Sequence, residues 1–248
     1  MKRAILVFLL LMAAPAGTWA SGLEFSVTPG AIDIGATYNG TSLAIDGRVP
    51  EGSQVVARVV GAPQNLALKQ KGKVFGLLWM NMNTLHFSGV PNVCLIDASA
   101  PLQTLGAAGT SLGLAGLADK IGIEPSDADR SLLLPEFLRL KGHEGLYRET
   151  AGGVTLGQVQ DGSQAFSLRL SIPSRLSPGS YAVEVYAVKD GAVVAQASQT
   201  VEARLTGAPA FLANLAFNHA AWYGVLASVI AILGGLAIGL VFQSKGAH

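Results

Sequence analysis

Three side chains that suit a soft metal lie close together in the sequence: Met80, Met82 and His86. Thioether and imidazole groups are ligands that Cu(I) accepts. In a continuous strand, residues an even number of positions apart lie on the same face, so these three would share a face, with Trp79 beside them. A copper site is one interpretation of this spacing. Methionines also fill hydrophobic contacts, and we expect that role here, with no metal or cofactor bound.

The sequence shows no pattern typical of an active site. Its histidines, His86, His143, His219 and His248, form no His-Glu-x-x-His motif, and no serine lies in a Gly-x-Ser-x-Gly turn. We therefore name no catalytic residue and expect a protein that is not an enzyme. His219 directly precedes a long apolar segment, and we interpret it as a polar residue at the start of that segment rather than a proton-exchanging group.

Cys94 is the only cysteine, so the chain can form no internal disulfide. It lies in the apolar run of residues 93–96, which predicts a small buried side chain in a strand rather than a reactive thiol. The charge of the chain is close to balanced, with 17 Lys and Arg against 16 Asp and Glu. Such a balance gives no basic surface for DNA or RNA, so we expect no nucleic-acid partner.

Residues 220–242 carry no charge and are long enough to cross a bilayer as a helix. Trp222 and Tyr223 lie at the start of this segment, where amphipathic rings favour the lipid headgroup region. We predict a transmembrane helix, with these two aromatic residues at the membrane interface and the lipid bilayer as its surroundings.

Small residues recur at every fourth position of this segment: Ala227, Ala231, Gly235 and Gly239. The last two form a GxxxG motif, which lets two helix backbones approach closely in lipid. We favour packing against another helix over plain exposure to lipid. Self-association and docking on another membrane protein predict the same pattern.

The N-terminus has the features of a cleavable signal peptide, residues 1–20. Lys2 and Arg3 precede an apolar stretch, and Ala20 is a suitable last residue before cleavage. Export of the N-terminus would leave residues 243–248 in the cytoplasm, and Lys245 agrees with the excess of positive charge on that side. The chain would then cross the membrane once.

The segment between these ends predicts a mainly β fold. Short strands with Gly and Pro turns favour two immunoglobulin-like β-sandwich units, at residues 21–104 and 152–204. Residues 74–79 are predicted as one strand, and Asp190-Gly191 as a hairpin turn. Residues 105–151 predict a helical insert, in which Asp127 or Asp129 could cap the second helix. Residues 205–219 would link the second unit to the transmembrane helix.

The chain resembles a family of transmembrane proteins typical of alphaproteobacteria. The resemblance is carried by residues 76–81 (GLLWMN), 87–91 (FSGVP), 145–147 (GLY), 152–154 (GGV) and 178–181 (PGSY), and by His219, Tyr223 and Gly224. It implies a signal peptide, a periplasmic ectodomain and one C-terminal helix in the bacterial inner membrane. Members tend to be encoded near sulfite-exporter-type permeases, which is an association and not a mechanism. The family has more arginine in the first unit, where this chain has Lys69, Lys71 and Lys73.

The sequence thus predicts a non-enzymatic accessory or interaction subunit, such as that of a transporter. The alternative is a membrane-tethered periplasmic module that binds a ligand or copper.

Overall fold

The computed structural model describes residues 23–75, 77–125 and 129–243. The predicted signal peptide, residues 1–20, and the tail beyond Gln243 lie outside the described residues. The chain is mainly β, as predicted, and ends in a long apolar helix.

The strands are β1 (Glu24–Thr28), β2 (Ala31–Ile34), β3 (Thr41–Pro50), β4 (Gln54–Gly61), β5 (Pro63–Val74), β6 (Leu78–Pro91), β7 (Cys94–Ala98), β8 (Gly122–Glu124), β9 (Tyr147–Ala151), β10 (Val154–Gln160), β11 (Ser163–Ile172), β12 (Gly179–Lys189) and β13 (Ala192–Leu205). The helices are α1 (Gly106–Leu112), α2 (Leu114–Ala118), α3 (Arg130–His143), α4 (Gly207–Asn218) and α5 (Ala220–Gln243), with a short 3-10 helix at Leu102–Leu105.

Two sheets pack face to face over the main hydrophobic core. The four-stranded sheet has the order β1-β3-β11-β10, and the six-stranded sheet has the order β2-β13-β12-β4-β7-β9. Strict alternation in β11 places Phe166, Leu168, Leu170 and Ile172 in this core. Val59 and Val183 contribute from the facing sheet, where β4 and β12 are neighbours.

The strands do not separate into the two units that the sequence suggested. In the four-stranded sheet β3 pairs with β11 over ten residue pairs, and in the six-stranded sheet β4 pairs with β12 over eight. Strands from residues 21–104 and from residues 152–204 therefore share both sheets and one core. The physical reason is that either half alone would leave long strand edges unpaired and half of its apolar surface in water.

A third layer covers the outer face of the six-stranded sheet. Its core contains side chains from the 3-10 helix, α1, α3 and β6, packed on Val56, Ile96 and Val188 of the sheet. Phe137 of α3 stacks on Phe87 of β6, with ring centroids 4.6 Å apart. The helices α1, α2 and α3 lie within the predicted helical insert, residues 105–151, and belong to this layer. The same range also contains β8 and β9, and β9 is an edge strand of the six-stranded sheet, so the insert is not wholly helical.

The sequence correctly predicted the cap of α3 in this layer and the tight turn between β12 and β13. Asp129 caps α3, because its carboxylate accepts hydrogen bonds from the backbone N–H groups of Ser131 and Leu132. The alternative cap, Asp127, lies outside the described residues. Asp190 and Gly191 form the tight turn between β12 and β13, both with positive φ.

β5 and β6 form a long hairpin whose turn the sequence placed wrongly. Residues 74–79 were predicted as one strand, but β5 ends at Val74 and β6 begins at Leu78. Phe75 has φ of 52°, a left-handed conformation that non-glycine residues adopt mainly in turns. The apolar character of the segment suggested a strand. It instead places hydrophobic side chains at the hairpin turn.

Phe137 offers a test of the third layer, because it is 3% exposed between the rings of Phe87 and Tyr147. Phe137→Ala should lower the free energy of unfolding by about 3–5 kcal/mol through lost burial and the remaining cavity. Leu132→Ala on the same helix, at a side chain that is 58% exposed, should change it by less than about 0.5 kcal/mol. Chemical denaturation of the detergent-solubilised chain measures both. Equal effects of the two substitutions would contradict the packing of α3 described here.

Candidate functional site

The segment Ala220–Leu240 of α5 has a mean hydropathy of 2.2, and none of it is buried against the rest of the chain. Among the described residues this is the one helix long and apolar enough to cross a membrane. Trp222 and Tyr223, the predicted interface residues, lie exposed in its first turn. Ser228 donates a hydrogen bond to the carbonyl oxygen of Gly224 at 2.9 Å, so its hydroxyl is satisfied within the helix.

The four small residues of α5 form one continuous exposed ridge. Positions four apart in a helix are displaced by about 40° around its axis, so Ala227, Ala231, Gly235 and Gly239 follow a shallow spiral on one side. A Cβ atom added at Gly235 or Gly239 would meet no atom of the described residues within 4 Å, apart from the adjoining part of α5 itself. The ridge is therefore open to the backbone of another helix.

The predicted linker to the membrane is largely helical. α4 ends at Asn218, and His219 has non-helical backbone angles between α4 and α5. Phe211, Leu212 and Phe217 of α4 are exposed. α4 carries no charged side chain, so it presents these apolar groups directly before the membrane helix.

The structure separates the candidate copper ligands. Met80 lies opposite Gly72 in the hairpin register, and His86 lies opposite Ala67. Between them the register shifts by one residue, with Met82 as the extra residue of β6. This bulge reverses the alternation, so Met80 and His86 lie on opposite faces of the hairpin. The premise that the three residues share one face is therefore wrong.

Comparison with known families identifies the architecture. The profile of the family described as "Putative transmembrane protein (Alph_Pro_TM)" matches residues 22–244. The chain belongs to this family. A comparison with curated proteins finds no match. The Alph_Pro_TM match and the apolar α5 together indicate a protein that crosses the membrane once through its C-terminal helix.

A cleft of about 610 Å³ in this Alph_Pro_TM protein lies between α1, α2 and the six-stranded sheet. Arg58 lies at its base, and two of its nitrogens donate to the Glu184 carboxylate at 2.6 and 3.0 Å. A third nitrogen donates to the carbonyl oxygen of Leu112 at 3.1 Å. The guanidinium group is thus held by the protein itself, and little of its hydrogen-bonding capacity is left for an anionic ligand.

Sequence reasoning missed this ion pair. Arg58 and Glu184 lie directly opposite each other on β4 and β12. The available signal was that Arg58 is the one charged residue of β4 and Glu184 the one acidic residue of β12. It becomes informative only when the pairing of strands 126 residues apart is known.

Cys94 is buried, as predicted, and lies opposite Tyr147 in the pairing of β7 and β9. Burial raises the pKa of its thiol to about 11. The group is therefore a neutral thiol at physiological pH, and a neutral thiol is a poor nucleophile.

The folded full-length protein should accordingly react slowly with a maleimide at pH 8. The raised pKa alone lowers the thiolate fraction by about 100-fold relative to an ordinary cysteine, and burial slows the reaction further. The matched control is Cys94→Ala with Thr200→Cys, which places the single thiol at an exposed strand position. Mass spectrometry of labelled protein measures both rates. Labelling of native Cys94 as fast as the control would contradict its assigned environment.

Proposed function

We propose that this protein is a non-enzymatic interaction subunit of the bacterial inner membrane, and that its α5 helix docks on another membrane helix. The observation that carries the proposal is the open ridge on α5, which no other segment in the described part of the chain covers. Lipid tails are as apolar as leucine, so hydrophobicity alone does not hold two spans together. Close backbone contact at small residues does.

The proposal places the β-rich body in the periplasm. Two features of the sequence support this orientation: the signal-peptide pattern of residues 1–20 and the single basic residue Lys245 after α5. A body that folds around one core and joins the membrane helix through α4 would present a rigid surface to a neighbouring protein. Another membrane protein, such as a transporter, or a second copy of this chain fits that role.

The ridge can be tested by adding bulk while keeping the span apolar. Replacing Gly235 and Gly239 together with Ile should leave membrane insertion intact and weaken association of the helix at least tenfold, about 1.4 kcal/mol. Leu233→Ile with Leu240→Ile, off the ridge, is the matched control and should change little. The mass of the stoichiometric complex in mild detergent, by light scattering, provides the measurement.

If the assembly loses mass in the glycine variant but not in the control, the result supports docking through the ridge. The mass that is lost then distinguishes a second copy of this chain from a different protein. The proposal fails if the glycine variant keeps the full assembly. α5 would then act as a simple tether.

A membrane-tethered ligand-binding module is the second candidate, and the cleft beside Arg58 favours it. Its volume falls within the range of small-molecule sites, roughly 300–1,000 Å³. Native mass spectrometry of the full chain extracted from its own membranes tests this candidate. A small molecule retained by the protein and lost after Tyr186→Ala, a cleft residue, would favour it over docking.

A further inference from the structure

The outer part of the β5–β6 hairpin exposes a group of large apolar side chains. We call residues 69–75 and 77–83 the hairpin tip. Phe75 and Leu77 are 93% and 85% exposed and Trp79 is 67% exposed, while Leu78, Met80 and Met82 are more than half exposed. Soluble surfaces seldom carry so many large apolar groups side by side, and such patches mark contacts with a membrane or a partner.

The strand register divides the hairpin tip into two faces. Leu78 and Met80 lie on the same face as the inner residues Leu85 and Phe87, which are buried under α3. Met82, at the bulge, lies against Gly72 of that face. The apolar surface that packs inside the third layer thus continues outward, uncovered, toward the turn.

The opposite face carries the positive charge. Lys69, Lys71 and Lys73 alternate along β5, and all three are exposed. The Lys73 ammonium lies 5.2 Å from the centre of the Trp79 ring, a cation–π distance. Residues 63–91 contain no Asp or Glu, although residues 21–219 as a whole have 16 acidic and 14 basic side chains. Positive charge is therefore concentrated on this hairpin.

The topology places the base of the hairpin at the membrane-proximal end of the body. β4 ends at Gly61, which lies opposite Tyr181, and β5 begins two residues later. Gly179, the first residue of β12, pairs with Ala203 near the end of β13, and β13 then leads into α4. The hairpin and the helices that lead to the membrane thus leave the six-stranded sheet from the same end.

We propose that the hairpin tip inserts its apolar side chains into the interface of the bilayer that α5 crosses, with its lysines on anionic lipid headgroups. β5 continues for six residues beyond Leu68, a length of roughly 20 Å, and leads to a turn where Phe75 and Leu77 are almost fully exposed. Tethering by α5 keeps the bilayer permanently near the tip, which raises its effective concentration. Trp, Phe and Lys together are the residues that favour the headgroup region.

A lipid surface fits this tip better than a protein groove does. The tip combines apolar bulk with a lysine face, and each lysine near an anionic bilayer strengthens binding roughly fivefold. A second copy of the chain would bring three further lysines to the same contact, and like charges at a contact oppose association.

Quenching of Trp79 fluorescence by brominated lipid tests the proposal. The full chain with Trp19→Phe and Trp222→Phe retains Trp79 as its one tryptophan. It is reconstituted into vesicles of phosphatidylethanolamine and phosphatidylglycerol that carry bromine on their acyl chains. We expect strong quenching, a blue-shifted emission and protection from aqueous acrylamide.

Two variants provide the controls. Val193→Trp with Trp79→Phe, in the same background, moves the probe to the β12–β13 turn at the other end of the sheet, and should show no lipid quenching. Replacing Lys69, Lys71 and Lys73 with Gln should reduce Trp79 quenching by about twofold or more without changing the unfolding midpoint.

Each contrary result overturns the proposal. Trp79 that is open to acrylamide and unquenched by lipid would show a tip in water. Trp79 that is shielded from both quenchers would show a tip covered by a second copy. Quenching that is unaffected by the lysine substitutions, or equal in phosphatidylcholine vesicles, would show that the lysines do not bind anionic headgroups as proposed.

Discussion

The pairing of β3 with β11 and of β4 with β12 is the interaction on which the rest of the structure depends. These two antiparallel ladders join strands more than 100 residues apart and lie in opposite sheets. The side chains between them, such as Leu43, Val59, Leu170 and Val183, are almost completely buried. The two ladders therefore enclose the same core from opposite sides. Neither half of the chain has a complete core without the other half.

This interlocked core determines where the remaining segments go. The chain between β7 and β9 must return to the six-stranded sheet, because β9 pairs with β7 along its edge. On that route its helices cover the sheet's outer face and hold the inner part of the β5–β6 hairpin through Phe87 and Phe137. The outer part of the hairpin passes beyond α3 and stays uncovered.

The α5 helix and the hairpin tip are consequently two apolar surfaces that no other segment among the described residues covers. They differ in chemistry. α5 is uncharged and presents small residues, which suits a helix in lipid, whereas the tip combines large apolar groups with lysines, which suits a headgroup region. Both proposals for this protein follow from that contrast. Docking through α5 and lipid contact through the hairpin would fix the body against the membrane at two points.

The features predicted from the sequence are those with a local signal. The uncharged length of α5, the alternation of β11, the Asp129 cap and the Asp190-Gly191 turn each depend on a few neighbouring residues. Strand pairing over long separations leaves no such signal, so one interlocked body was interpreted as two similar units. The bulge at Met82 could not be predicted either, because no particular residue type in this strand marks the extra position.

The candidate sites, too, could be predicted only where a few neighbouring residues carry the signal. The ridge on α5 was predictable because four small residues recur within one helix. The hairpin tip was not, because its turn lies within the apolar run of residues 74–79, which suggested one continuous strand. The pair of Arg58 and Glu184 needed the β4–β12 register before it could be recognised.

The most direct test of the interlocked core is calorimetric unfolding of the full chain with one substitution in each half. Leu95→Ala lies in residues 21–104 and Leu170→Ala lies in residues 152–204, and both side chains are fully buried. Each should cost about 2–5 kcal/mol. If one core joins both halves, both substitutions will lower the midpoint of the same single transition. Two transitions, each shifted by only one of the substitutions, would contradict the interlocked fold.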